Sequence, residues 1–481
     1  MSPSTSPAAT VARDHAPGLE TAFDRPPEEA SYTIEEIEGA VPPFVRGSYY
    51  LNGPARFERG GTRARHWLDG DGMICALHFE EGGVEFSARY VRTHKLVAEE
   101  EAGRHLFRAF GTAFDGDRLR RGLSLESPGN VSIYPFAGTV LAFGEQGLPW
   151  RVDPRTLTTE GVHDFGKQLN EVSPFAAHPA FDYRSGEMFN FGISFSSQRP
   201  CLNLYRFSGS GELLYRRRLG LDLPVSIHDF GLSARHAVFY VNPYVLDPES
   251  LVDGGASLLE ALSWRPEVAS LLLVADRETG EEVCRVPIGS AYCLHLIECF
   301  ETGEGLAVDV LELDRPVYDQ YMVPDLFPDA RTAQPVRYLV DVSSGRLLER
   351  REHPYRRMCD FPGIDPRRAA TEYDEFWVLG IAASEEPGRK FFDELAHLSW
   401  NTGVDDVYRP PRGRYLGGEP VFIPDPGSER GGAILCQELD TVGPSGSFLL
   451  FDAHDVAGGP VARLRLRRPV HLGFHACFAA S

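Results

Sequence analysis

The 481-residue chain carries 48 Lys and Arg against 69 Asp and Glu, a formal charge of -21. That balance excludes a surface built to track nucleic-acid phosphates or anionic lipid and leaves nonpolar, neutral or cationic ligands open. None of the eight cysteines forms a CxxC pair, and nothing near the N-terminus resembles a secretory signal, so a reducing cytoplasm is the expected home. No uninterrupted apolar run approaches the roughly 20 residues that span a bilayer. Contact with a membrane, if any, is expected from its surface, at the inner face. No Pro/Gly/Ser linker divides the body. With 42% hydrophobic content the core is ample for a globular protein.

Residues 1–25 are small, polar and Pro-rich, and are expected to stay disordered. Residues 26–481 read as one domain. Within it, short apolar runs end repeatedly in the same way, as in "RVDPRTLTTEG", "LLLVADRETGEEVCRV" and "RYLVDVSSGRLLERR". Each is a strand, an Asp, a few turn residues and a second strand, which is a hairpin signature. Hairpins recurring through one chain suggest small sheets repeated around an axis, a β-propeller, with a multi-sheet sandwich as the alternative. Two stretches, "SLLEALSWRPEVASLLL" and "RKFFDELAHLSW", read as helical connections. Leu258, Leu259, Leu262, Trp264 and Leu271 to Leu273 in the first would form an apolar patch near 258–273 suited to peripheral membrane contact.

The segment "VHLGFHACF" sets His471 and His475 four apart. A helix would let the pair close on one metal ion. Pro469 and Gly473 argue for a buried strand instead, where two such residues stand roughly 13 Å apart. Any ligand partners must then come from elsewhere. Of the fifteen histidines, His15 lies in the tail. His66, His78, His94, His105, His163, His236, His353, His397 and His454 sit beside charges or turns and read as solvated. His178, His228, His295 and His475 are embedded in apolar segments, where an unpartnered imidazole is costly. A metal would satisfy one ring nitrogen and a second acceptor the other. Singly, each reads as a hydrogen-bonded core histidine, and their separations form no local ligand motif.

The segments "SYYLNGPARFE", "RHWLDGDGMICALHF" and "ARYVRT" resemble the opening of the carotenoid cleavage oxygenase family, of the bacterial apocarotenoid-cleaving type. "AHPAFDYRSGE", "IHDF", "LHLIECFE", "DFPGIDP", "GGEPVFIP" and "GFHACF" follow in the family's order. The resemblance implies an all-β fold, a seven-bladed β-propeller with a few helices and loops capping one face over a metal centre. It implies one Fe(II) per chain held by His178, His228, His295 and His475, with His471 a spectator. Three carboxylates, Glu145, Asp360 and Glu419, would accept hydrogen bonds from ligand rings. Asp360 stands where the family usually has Glu, so its shorter side chain would need a backbone shift or a water to reach. Ala476 stands where Gly is usual and would crowd the backbone.

Four neutral imidazoles suit Fe(II), Zn(II) or Cu(II), and the choice of iron rests on the resemblance. An octahedral ion so held leaves two positions, for dioxygen as co-substrate and a water. The implied reaction is cleavage of a C=C bond of a carotenoid or apocarotenoid into two carbonyls, with Phe57, Tyr90, Phe143, Trp150, Tyr292, Phe361 and Phe474 as candidate walls of a tunnel for a hydrophobic polyene. The runner-up within the family is hydroxystilbene cleavage, in which a lysine and a tyrosine recognise the phenol. Only Lys95, Lys167 and Lys390 are present, and "LESPGNVSIYP", where that lysine is expected, has none; Tyr90 remains a phenol partner. A non-catalytic apocarotenoid carrier and a retinoid isomerohydrolase are the readings from other classes. Asp69 and Asp71 in "WLDGDGM" lack the longer calcium-loop pattern and read as a structural turn.

Overall fold

The computed structural model describes residues 14–481, save 123, 196, 197, 331 and 444. Seven antiparallel sheets of four or five strands dominate it. The second to sixth sheets, residues 132–162, 180–220, 230–289, 292–352 and 358–408, are meanders, for example Tyr292–Glu301, Leu306–Leu313, Gln334–Asp341 and Arg346–Glu352 in the fifth. A separate hairpin, Tyr244–Leu246 and Leu262–Trp264, is inserted in the fourth, and the seventh is built on 414–465. One edge strand of each sheet touches that of the next in turn from the third sheet round to the second, which makes the array a seven-bladed propeller with these strands innermost. Five of the hairpins turn where the sequence places Asp. The side chains of Asp153, Asp182, Asp276, Asp341 and Asp452 accept backbone N–H groups two or three residues ahead, an Asx turn that reverses the strand.

Closure draws on both ends of the described chain. Ala476–Ala480 is the innermost strand of the first sheet, whose other strands are Gly47–Arg56, Asp71–Glu80, Gly83–Tyr90 and Ala30–Thr33. Ile37–Gly39 in turn adds an outer strand to the seventh sheet, beside Ala462–Arg465. The faces of adjacent sheets bury separate apolar layers, such as Phe189, Leu204 and Phe239 between the third and fourth and Val238, Leu272 and Tyr338 between the fourth and fifth. A further, larger cluster of aromatic and aliphatic side chains is shared by the inner strands and the loops that leave them.

Several sequence expectations are corrected. Residues 14–25 pack: Ala16, Leu19 and Phe23 are buried, and Tyr415 donates its hydroxyl to the Pro17 carbonyl. Residues 1–13 lie outside the described residues. Neither helical connection forms, since Leu262–Trp264, Ser270–Asp276 and Glu394–Ser399 are strands. The apolar side chains of 258–273 are partly covered: Leu258, Leu272 and Leu273 are buried, while Leu259, Leu262, Trp264 and Leu271 are half-buried and pack against core clusters. His66, His78, His105, His353 and His397 are buried rather than solvated, each at 8% exposure or less. Residues 470–475 belong to no strand, although 473–475 make backbone hydrogen bonds, and ladder pairing starts at Ala476, opposite Leu51. Ala476 is thus accommodated in regular register. Among the described residues no helix is long and apolar enough to cross a membrane.

Candidate metal centre

His178, His228 and His475 lie one or two residues before the innermost strands of the third, fourth and first sheets, and His295 lies in that of the fifth. Four inner strands around one axis therefore deliver four side chains separated by 50 to 180 residues in sequence. Backbone hydrogen bonds fix the most distant one. Asn52 of the "NGP" motif donates its N–H to the His475 carbonyl and accepts from Phe474, while its side-chain amide holds the Gly129 and Ser132 carbonyls. The motif thereby ties the segment bearing His475 to the second sheet, and the His475 N–H donates to Val131.

One ring nitrogen from each histidine lies within 4.8 Å of one from every other. Nε2 of His178 is 2.9 Å from Nε2 of His228, which is 3.2 Å from Nε2 of His295. Two nitrogens bound at right angles to one ion at about 2.1 Å stand roughly 3.0 Å apart, so the spacing fits a shared divalent ion. Two hydrogen-bonded neutral rings explain one such contact but not four converging rings. Burial and the neighbouring imidazoles hold His178 and His475 well below the usual histidine range, keeping them in the neutral form a metal requires. Burial also opposes protonation of His295, but the Asp360 carboxylate outweighs it and raises that ring.

The far nitrogens meet carboxylates unequally. His228 Nδ1 donates to Glu145 Oε1 at 2.8 Å, and His295 Nδ1 to Asp360 Oδ1 at 2.5 Å. Asp360 reaches directly, without a water, because the backbone shifts: pairing in its strand is irregular between Asp360 and Gly363, and Phe361 has φ 56. His475 Nδ1 is 3.4 Å from Glu419 Oε2, which also receives the Ala476 N–H at 3.3 Å. Burial pushes the Glu419 carboxyl up to about 8. His178 has no such acceptor, its nearest carboxylate being Asp229 at 3.9 Å.

Of the proposed tunnel residues, Phe361 and Phe474 stand at the centre. The Phe361 ring is 5.2 Å from His475 and 5.7 Å from His295, and it stacks on Phe474. Tyr292 packs edge-on to Tyr244 and Trp264, beyond Tyr318, whose ring is 6.2 Å from His228. Phe143 stacks on Phe175, three residues before His178, and Phe57 meets Phe23 edge-on. Tyr90 and Trp150 are corrected, because both point into layers between or within sheets. The Tyr90 hydroxyl donates to the Pro27 carbonyl, and Trp150 packs on His94.

Sequence reasoning missed Asp229, Tyr318 and Tyr321. Buried Asp229 accepts the Leu296 and Phe230 N–H groups and so links the His228 and His295 strands, a role signalled only by its place in "IHDF". The Tyr321 hydroxyl lies 3.4 Å from Asp360 Oδ2. His471, as expected, stands apart: its Nδ1 faces Cys75 Sγ at 4.0 Å and its Nε2 has no partner.

Comparison with known proteins agrees with this geometry. Apocarotenoid-15,15'-oxygenase of Synechocystis sp. is 27% identical over 473 residues, 95% of each chain. Resveratrol cleavage oxygenase 1 of Aspergillus fumigatus is 30% identical over 465 residues, 91% of each. The crystal structure of cobalt-substituted Synechocystis ACO superposes with a TM-score of 0.89 at 25% identity, over 98% of this chain and 100% of that one. The model of the retinal pigment epithelial membrane protein (RPE65) family matches residues 23–480. A match of that extent, on a seven-bladed propeller with four converging histidines, means that the chain belongs to this family of carotenoid oxygenases.

Proposed function

We propose that the protein is a non-haem Fe(II) dioxygenase that adds dioxygen across one C=C bond of an apocarotenoid or carotenoid and releases two carbonyl products. The observation that carries this reading is the convergence of four buried imidazoles with no carboxylate among the ligating atoms. Iron bound there would supply the one-electron chemistry toward dioxygen that side chains lack. His178, His228, His295 and His475 would hold it through the converging nitrogens. Glu145 and Asp360 keep the Nδ1 protons of His228 and His295 in place and so fix which nitrogen faces the ion. Phe361 and Phe474 exclude water beside the histidines and offer apolar faces along which a polyene can lie. Positioning a double bond beside the four histidines is the protein's main contribution.

The lysines favour a polyene over a hydroxystilbene. Lys95 is buried in ion pairs with Asp71 and Glu99, both at 3.0 Å, and Lys390 donates to the Pro328, Glu386 and Gly388 carbonyls. Tyr90 is engaged with Pro27, and Lys167 is on the surface. The test is product analysis by liquid chromatography and mass spectrometry after supplying the Fe(II)-loaded protein with apocarotenals, a carotenoid and hydroxystilbenes, with and without dioxygen. Oxygen-dependent carbonyl fragments from a polyene are expected, their masses naming the bond. Fragments from stilbenes alone would overturn the substrate class, and no oxygen-dependent product from any of them would overturn the reaction.

A further inference from the structure

A second cluster of ligand-type side chains lies on the outer part of the propeller, where the sixth and seventh sheets meet. Glu375 opens the strand Glu375–Ile381, His397 lies in its neighbour Glu394–Ser399, and His454 follows the seventh-sheet strand Ser445–Asp452. Their ligating atoms lie within 4.8 Å of one another. His397 Nε2 is 3.5 Å from Glu375 Oε1 and 3.7 Å from Asp405 Oδ2, and His454 Nδ1 is 3.6 Å from Glu375 Oε1.

His397 is 97% buried, yet among the described residues its ring nitrogens find no partner at ordinary hydrogen-bond geometry, the nearest carboxylate oxygens standing at 3.5 Å. Its ring lies flat on Trp377, centroids 4.8 Å apart and planes 6° apart, so it cannot swing away to find one. The Trp377 indole is itself anchored by donation to the Ala453 carbonyl. His454 is set up in a complementary way. Its Nε2 lies 2.9 Å from the Arg430 carbonyl, which fixes the proton on Nε2 and leaves the Nδ1 lone pair directed at Glu375. That nitrogen too is buried without a partner.

We infer that Glu375, His397 and His454 form a second divalent-metal site of the Zn(II) type, clamping the sixth sheet to the seventh. Two imidazoles and carboxylate oxygens are the donor set such ions take. Arg430, whose Nη2 is 2.7 Å from Glu375 Oε1, occupies the carboxylate when no ion is bound. Its side chain is 70% exposed and free to swing into solvent. A protonated His397 enclosed by Glu375, Asp405 and Asp406, the last at 3.5 Å from Nδ1, is the competing arrangement and needs no ion.

The test uses the iron-loaded full chain, titrated with Zn(II) by calorimetry, with iron counted before and after by mass spectrometry. One equivalent of zinc beyond the retained iron is expected, accompanied by a change in Trp377 fluorescence that Trp377→Phe removes. His454→Ala, at a half-exposed position, should weaken zinc binding by more than the roughly 10- to 100-fold typical of losing an outer hydrogen bond to a ligand. Arg430→Ala should strengthen it, and both variants should keep iron and activity. No additional equivalent in either the unaltered chain or Arg430→Ala would overturn the site and leave the protonated His397. Additional zinc that binds His454→Ala equally well would place the metal elsewhere and overturn it too.

Discussion

At the residue scale the metal centre depends on which nitrogen each imidazole presents, and that choice is made by carboxylates outside the ligand set. Asp360 gives the shortest of these bonds. Asp360→Asn preserves its shape but removes the charge and turns one oxygen into a donor, so iron affinity should fall by about 10- to 100-fold while melting of the apo-protein changes little. Iron titration of the two proteins measures it, and equal affinities would show that Asp360 only fills space. His471 poses the reverse question, since it is buried four residues from His475 yet lies outside the converging group. Burial holds its imidazole down to about 3, so the folded chain refuses a proton that the unfolded chain accepts near 6.5. Stability is therefore whole above that value and is lost as pH falls from about 6.5 toward 3, at about 1.4 kcal/mol per unit. His471→Leu should retain iron and activity. Relative to the unaltered protein it should gain about 2 kcal/mol between pH 7.5 and pH 5, read from urea unfolding at both values. The same offset at both pH values would mean that His471 is hydrated and titrates normally.

At the element scale the "GDG" turn shows how a motif can mark a family without doing chemistry. Asp69 caps a loop by accepting the Gly111 N–H and the Thr112 hydroxyl, and Asp71 pairs with Arg59 and Lys95. Gly72 is needed because a methyl group there would lie 2.3 Å from the Gly129 carbonyl oxygen, a backbone atom that cannot turn aside. Gly72→Ala should cost about 1–3 kcal/mol in urea unfolding, whereas Gly82→Ala, which meets nothing within 4 Å, should stay within about 0.5 kcal/mol. Iron per folded molecule should be unchanged in both; its loss in Gly72→Ala would give the turn a part in the site. Hairpins were legible in the sequence because Asx turns put the same residue at the same place in blade after blade. The run 257–273 was misread because buried strands and helices of that length share apolar composition, and only pairing partners far along the chain decide between them. His397 was misread because local charge predicts solvation, while its burial is created by Trp377 and a neighbouring sheet. Asp229 escaped notice since its partner, Leu296, is 67 residues away. The four converging histidines were legible as a set only through the ordered motifs of the family.

At the scale of the whole molecule, seven sheets hold four ligands only if the ring is closed. The innermost strand of the first sheet is Ala476–Ala480, which pairs with Gly47–Leu51 and directly follows His475. Ile37–Gly39 fastens the seventh sheet from outside, and the packed segment 14–24 lies over the sixth and seventh through Arg389, Tyr415 and Thr441. These attachments differ in kind. Removing residues 1–25 takes away the burial of Leu19 and Phe23, worth roughly 3–6 kcal/mol together, but leaves every propeller strand intact. That protein should fold cooperatively, melt several degrees lower and keep its iron. Removing residues 476–481 leaves all four histidines in the chain but exposes the inner edge of Gly47–Arg56 and frees the segment carrying His475. An unpaired inner edge in the middle of the molecule invites aggregation, and the fourth ligand is no longer held against the other three. This second protein should lose iron and cooperative melting together, measured by metal content and calorimetry on the soluble fraction. If it kept both, strand closure would not be what assembles the metal centre, and the backbone bonds from Asn52 and Val131 to His475 would suffice.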